Sequence, residues 1–253
     1  LTIAASVSCA GNWAAQELEA TLSTPSLEMT LQGGFPVRVA NRLTESVLMD
    51  LVSGDQDASM AVELLVGRPV RLDQVDVVAV NNDPNKGALE YQWTLPGGDA
   101  IAWRWTVNGD DIVCRMQART TAPIKTLQLQ LPRCDLKKHQ MVWVTNFGIS
   151  PRITAPYTRE ADKGLSGRFH SHRYIQPIIA LFEGENSGFV IEGRYRDLEG
   201  GGNHTVGHGD SLDLATYRSY RQPGRTLELY PIHFRAYRGN WRKAVDPYVK
   251  WME

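Results

Sequence analysis

The chain predicts an all-β, antiparallel fold. Three observations carry that prediction: apolar and polar residues alternate with period two from Ser26 onward, turn residues interrupt the alternation at short intervals, and tryptophan is abundant. With 22 Gly, 13 Pro and 7 Trp in 253 residues, many short strands and tight turns fit better than a helical bundle.

The strands are read in order. Leu27–Leu31 alternates, Gly33-Gly34 turns, and Phe35–Val39 follows. Val47–Val52, Ala61–Val66 and Gln74–Val80 are further short apolar runs, and Asn81-Asn82-Asp83-Pro84-Asn85-Lys86-Gly87 is a turn cluster. Leu89–Leu95 and Ile101–Val107 alternate around Pro96-Gly97-Gly98-Asp99. Asn108-Gly109 then leads to Ile112–Met116, the strongest local hairpin signal in the chain. Leu127–Leu131, Ile178–Phe182, Gly188–Tyr195, Ser211–Tyr217 and Thr226–Phe234 complete the set. Two segments lack periodicity and read as loops: Ser150–His172, and the glycine-rich Glu199–Asp210. With no helical stretches between them, these strands form a sandwich or barrel.

The end departs from period two. Trp241, Ala244, Val245, Tyr248 and Met252 fall on one face of an amphipathic helix. Asn240 suits its N-cap, and Pro247 removes one backbone donor. So short a helix needs packing, and a covering neighbour beyond Glu253 is expected. The organisation is residues 1–25 as leader, 26–238 as one β-domain, and 239–253 as the helix.

Composition excludes several classes. A net charge of −1 rules out the broad basic field of a nucleic-acid binder. Hydrophobic residues at 42% and charged residues at 22% are ordinary for a folded domain. No apolar run reaches the ~20 residues of a membrane span. Leu1–Ala10 is small and apolar, reading as the tail of an export signal with cleavage near Ser8-Cys9-Ala10, as a first strand or as a disordered start; Val7-Ser8-Cys9 is weakly similar to a lipoprotein signal in which the cysteine is acylated. Three cysteines (Cys9, Cys114, Cys134) make no disulfide framework, and Cys114 reads as a small buried hydrophobe.

Chemistry-bearing clusters are few. His170 and His172 are two apart, and His204 and His208 stand in the glycine-rich segment near Asp210. Together they would suit zinc if their loops converged; otherwise they are ordinary polar loop residues. No metal or cofactor signature is present, the glycine-rich segment lacks a phosphate-loop ending, and there is no nucleophile elbow. Glu192, Glu199 and Asp210 are possible members of a carboxylate pair, whose separation would have to be ~5–10 Å.

The tail Phe234–Trp251, with its Gly239-Asn240-Trp241 step into a helix carrying Ala244, Tyr248 and Trp251, resembles a junction in retaining glycoside hydrolases of the α-galactosidase-like and endo-α-N-acetylgalactosaminidase-like kind. Ile178–Phe182 with Asn186–Glu192, and the opening Leu27–Leu31, are similar to strands of the same group. The resemblance implies an N-terminal, galactose-mutarotase-like antiparallel β-supersandwich with a short C-terminal helix, leading to a catalytic (β/α)8 barrel outside this chain. It implies an accessory domain, without catalytic residues, that supports the barrel and lends loops to a carbohydrate substrate; export is expected from Leu1–Ala10, and no cofactor is expected. A free-standing carbohydrate-binding module and an aldose epimerase are the alternatives; the His and Glu that mutarotases use find no matching pattern here.

Sugars stack on aromatic rings and hydrogen-bond to amides, carboxylates and Arg. Trp93, Trp103 and Trp105 read as core before platform. The expected wet, substrate-facing residues are Arg168, His170, His172, Arg173, Tyr174, Asn203, His204, His208 and Asp210.

Overall fold

The structure is a computed structural model that describes residues 19–50, 60–64, 70–71, 77–83, 87–95, 97–121, 124–130, 140–143, 167–170, 178–182, 186–194, 202–206, 212–216, 226–228, 231–240 and 242–253. Its strands lie in three ladders, and every pairing among the described residues is antiparallel.

The first ladder is a meander of β1 (Glu19–Ser23), β2 (Leu27–Gln32), β3 (Phe35–Asn41) and β4 (Ser46–Asp50). Local chemistry fixes each turn. Thr24 Oγ1 accepts from the Leu27 and Ser26 amides at 2.8 and 3.2 Å, a hydroxyl-capped turn around Pro25. Gly33 and Gly34 both take positive φ, 55° and 89°, as a two-residue hairpin whose twist matches its strands requires. Asn41 Oδ1 accepts from the Leu43 amide at 2.9 Å. In β2, Leu27, Met29 and Leu31 are fully buried while Glu28, Thr30 and Gln32 are half-buried, so its alternation is the inside and outside of a sheet.

The second ladder runs, in spatial order, β12 (Gln140–Trp143), β14 (Ile178–Phe182), β15 (Ser187–Gly193), β19 (Ile232–Arg238), β10 (Asp111–Arg119), β9 (Ala100–Asn108), β8 (Ala88–Thr94) and β7 (Val77–Asp83), with β18 (Thr226–Glu228) on the far end of β10. Its inner face carries the aromatic core. Tyr91, Trp93, Trp103 and Trp105 are all 0% exposed, so the tryptophans are core and not a sugar platform. The Phe35 ring lies 5.6 Å from both Trp93 and Trp103, and the Trp105 indole N–H donates to the Gly34 carbonyl at 3.0 Å. The β2–β3 hairpin is thereby closed over the second sheet. Cys114 is buried within this layer, opposite Trp105 in the β9–β10 register and with the Trp103 indole N–H directed at its sulfur, as a small core side chain; Cys9 and Cys134 lie outside the described residues.

The third ladder orders β13 (Gly167–His170), β16 (Gly202–Val206), β17 (Leu212–Thr216), β11 (Ile124–Gln130), β5 (Met60–Leu64) and β6 (Val70–Arg71). The one helix among the described residues, α1 (Arg242–Met252), follows β19 through Gly239 (φ 112°) and Asn240, whose Oδ1 accepts from the Arg242 amide at 3.1 Å. Asn240 is therefore the expected cap.

Four expectations need correcting. The sandwich takes in Glu19–Ser23, upstream of the residue-26 boundary read from alternation, because β1 pairs along its whole length with β2. The glycine-rich segment is not loop throughout, since Gly202–Val206 pairs on both sides. Thr226–Phe234 is two strands, β18 and β19, that pair β10 at separate places. Finally, the apolar face of α1 has a seat on this chain: Ala244 and Tyr248 are buried against Val190 and Tyr237, with Val245 and Trp251 partly covered.

Candidate functional site

Two places concentrate polar chemistry. The first lies under α1, on the outer face of β15 and β19. Successive strand residues alternate faces, so Phe189, Ile191, Ile232 and Phe234 go to the aromatic core. Glu192, His233 and Arg235 go to the opposite face. On that face Arg235 meets the Ala244 carbonyl of α1, and Glu192 is 0% exposed. The register pairs Glu192 with His233 and Val113 with His233, which brings the start of β10 alongside.

The resulting network is continuous. Arg235 Nη1 donates to Asp111 Oδ1 at 2.7 Å, and Nη2 donates to Glu192 Oε2 at 3.0 Å and to the Ala244 carbonyl at 3.4 Å. Arg194 Nε donates to Glu192 Oε1, and its Nη2 stands 3.7 Å from Asp111 Oδ2. The Arg194 guanidinium also lies 5.9 Å from the centre of the Trp251 ring, a cation–π distance. His233 Nδ1 is 2.8 Å from Asp111 Oδ2. Burial by itself would raise the Asp111 carboxyl, but the hydrogen bond from His233 and the charges of Arg235 and His233 outweigh it and hold it below its ordinary range. An ionised carboxylate only accepts, so His233 carries its proton on Nδ1.

Two carboxylates here share two guanidiniums, which leaves neither available to a reacting group. A glycosidase pair needs one raised acid and room for sugar or water between the two. Glu192, a possible member of such a pair, is instead enclosed and doubly bridged by arginines. An epimerase needs a histidine and a carboxylate open to sugar, whereas His233 is 5% exposed. The network ties together β10, β15 and β19.

Alternation alone does not reveal it: His233-x-Arg235 and Glu192-x-Arg194 look like the solvent side of two strands. The available signal was the density of charge at i, i+2 on two adjacent apolar strands.

The second place is the β13–β16 ladder, and here the sequence-derived candidates meet. In Cα register Arg168 stands opposite Thr205, Phe169 opposite His204, and His170 opposite Asn203. The two segments therefore converge, with His170 and His204 on adjacent rungs. His172, Arg173, Tyr174, His208 and Asp210 lie outside the described residues, as does Glu199. Among the described residues, no group of three His, Cys, Asp or Glu is placed to hold a metal ion, and no helix is long and apolar enough to cross a membrane.

The fold has close counterparts. No family model matches the chain, and no curated protein matches it by sequence. Solved structures do. A quadruple mutant of the α-N-acetylgalactosaminidase NagBb from Bifidobacterium bifidum aligns over 92% of this chain with a TM-score of 0.60 at 7% identity. The α-galactosidase from Lactobacillus brevis aligns over 88% with a TM-score of 0.55 at 13% identity. The Slr1438 protein from Synechocystis sp. PCC 6803 aligns over 87% with a TM-score of 0.57 at 10% identity. The chain covers 38% and 40% of the two glycosidases but 95% of Slr1438. It thus has the antiparallel β-sandwich fold present in glycoside hydrolases of the α-galactosidase kind, and at these identities the likeness is one of fold.

Proposed function

We propose that this chain is the accessory β-sandwich domain of a retaining glycoside hydrolase, one that supports a catalytic (β/α)8 barrel and contributes β13–β16 to glycan binding. The carrying observation is the fold: nearly the whole chain aligns with about two fifths of two enzymes that are named for cleaving α-linked galactose and N-acetylgalactosamine. The pairing of His170 with Asn203 supports the binding role, because it gathers donors and acceptors from two distant segments onto one ladder. The engagement of both Asp111 and Glu192 by arginine supports a noncatalytic role. Export, suggested by Leu1–Ala10, belongs to the same proposal, and sequencing the mature N-terminus of periplasmic or secreted protein tests it.

The decisive experiment uses the full enzyme that contains this chain. His170→Ala combined with Asn203→Ala is expected to raise KM for an α-galactoside or α-N-acetylgalactosaminide glycan by about tenfold with kcat nearly unchanged, the signature of lost uniform binding. An unchanged KM removes the glycan-binding part. If the full chain hydrolyses no α-linked sugar, the glycosidase part falls.

A second reading has one observation in its favour. Slr1438 is matched over almost its whole length, so this sandwich also exists as a chain of similar size. A free-standing carbohydrate-binding module predicts calorimetric binding of α-galactosyl oligosaccharides by this chain alone.

A further inference from the structure

The third ladder has two chemically distinct faces, and its register sorts them. Residues opposite each other in an antiparallel ladder share a face, and the next residue along each strand belongs to the other. One cross-strand row runs Arg168–Thr205–Asp213–Gln130, through β13, β16, β17 and β11. The adjacent row is Phe169–His204–Leu214–Leu129–Met60, which continues onto β5. The next is His170–Asn203–Ala215–Gln128–Ala61–Arg71, which crosses all six strands. The first and third rows therefore share a polar face, and the second lies on the opposite, apolar one. His170 and His204 are neighbours in the ladder but stand on opposite faces.

We propose that this polar face is the glycan-binding face, that it extends beyond β13–β16 to Asp213 on β17 and Gln130 on β11, and that His204 is no part of it. The inference deepens the glycan-binding role proposed above and rests on that reading. In a sandwich the apolar face of a sheet packs into the core, which leaves the polar face to a ligand.

The residue types on that face argue for a site. Asp and Asn disfavour strands, yet Asn203 and Asp213 stand on β16 and β17, strands paired on both sides. The polar sides of β2 and β8 carry neither, only Glu28, Thr30 and Gln32, and Ala88, Glu90, Gln92 and Thr94. Residues that weaken their own element are expected where a site requires them.

The charges select the ligand. Glu63 pairs with Thr126, two residues before Gln128, and so falls on the same face. Arg71 and Arg168 are then balanced by Glu63 and Asp213, which suits an uncharged ligand better than a polyanion. The amides of Asn203, Gln128 and Gln130 both donate and accept hydrogen bonds, as sugar hydroxyls do. Four adjacent strands span about 14 Å, and rows two residues apart lie about 7 Å apart, the scale of a short oligosaccharide.

Steady-state kinetics of the full enzyme that contains this chain, on an α-galactoside or α-N-acetylgalactosaminide glycan, test the proposal. Asp213→Ala is expected to raise KM about tenfold or more and Gln130→Ala about fivefold, with kcat nearly unchanged. Gln130→Ala reads the same face from a different strand if Asp213→Ala fails to fold. His204→Ala should lower the urea midpoint and leave KM in place. If His170→Ala with Asn203→Ala raises KM while Asp213→Ala and Gln130→Ala do not, the site ends at β16; the extended face is then overturned and the glycan-binding role stands. If none of these variants changes KM, that role falls as well. A KM raised by His204→Ala overturns the separation of the faces. A lowered kcat with KM unchanged in Asp213→Ala or Gln130→Ala means that this face docks against the catalytic part of the enzyme, and overturns glycan binding there.

Discussion

Arg235 Nη1 lies 2.7 Å from Asp111 Oδ1, joining β19 to the first residue of β10 on the covered face of the sheet. The same aspartate accepts a hydrogen bond from His233 Nδ1 at 2.8 Å. Removing Asp111 leaves two guanidiniums, Arg194 and Arg235, to share the Glu192 carboxylate alone in a site largely shielded from water. Asp111→Ala is expected to destabilise the protein by about 3–5 kcal/mol, the usual cost of breaking a buried pair from one side. Urea unfolding followed by tryptophan fluorescence measures it, and a loss under ~1 kcal/mol would mean that water already reaches Arg235.

Acid should reveal the same contact. The Asp111 carboxyl is depressed below its ordinary value of 3.8, so the folded protein holds fewer protons at that group than the unfolded chain does. Its stabilisation is complete above the unfolded value and is lost as pH falls through the lower folded one. Stability should therefore drop below about pH 4 with a component that Asp111→Asn lacks. Parallel acid-unfolding curves for the two proteins would refute this.

These residues also mark how far the sequence could be read. Ile178–Phe182 is a strand with the bounds that its apolar run suggested. The Asn108-Gly109 signal is a two-residue hairpin in which Asn108 pairs with Asp111 across Gly109 (φ 61°). Such features are local, and period and turn chemistry suffice to find them. Gly202–Val206 was hidden because glycine disfavours strands, and pairing with β13 and β17 overrides that preference. The ion network was hidden for another reason: polar residues at every second position of β19 normally face water, whereas here α1 returns onto that face. Asp111 and Arg235 are 124 residues apart, a pairing that no local pattern carries. The convergence of the His170 and Asn203 segments needed the β13–β16 register.

Gly34 has no room for a side chain. A Cβ there would stand 2.9 Å from Tyr91 Cγ and 3.1 Å from Trp93 Cη2, atoms of rings locked in the aromatic core. Its φ of 89° adds strain. Gly34→Ala should cost about 3 kcal/mol or more, combining overpacking with backbone strain, and should break the Trp105–Gly34 hydrogen bond. Loss of midpoint stability together with a shifted tryptophan emission is the expected result; an emission unchanged from wild type would place the rings farther from the hairpin.

Cys114 makes a chemical prediction. It is wholly buried, and burial pushes its thiol well above the ordinary value of 9.0. The thiolate is the reactive form, so Cys114 should resist iodoacetamide in the native protein at neutral pH and become modified only on unfolding. Peptide mapping after labelling with and without urea separates it from Cys9 and Cys134. Native labelling at Cys114 would require an opening of the core beside Trp103.

Gly239 supplies the last test, because its two constraints differ in kind from those at Gly34. A Cβ there would meet Lys243 Cγ at 2.9 Å, but that side chain is exposed and is free to turn away. The backbone cannot relax as easily, since φ is 112° and the amide is fixed to Asn186. Gly239→Ala should therefore cost about 1–3 kcal/mol through conformation alone. Replacing Lys243 with alanine in the same background, which removes Cγ, should recover little of that loss. Full rescue by Lys243→Ala would instead show that the contact, and not the backbone, requires glycine at the junction of strand and helix.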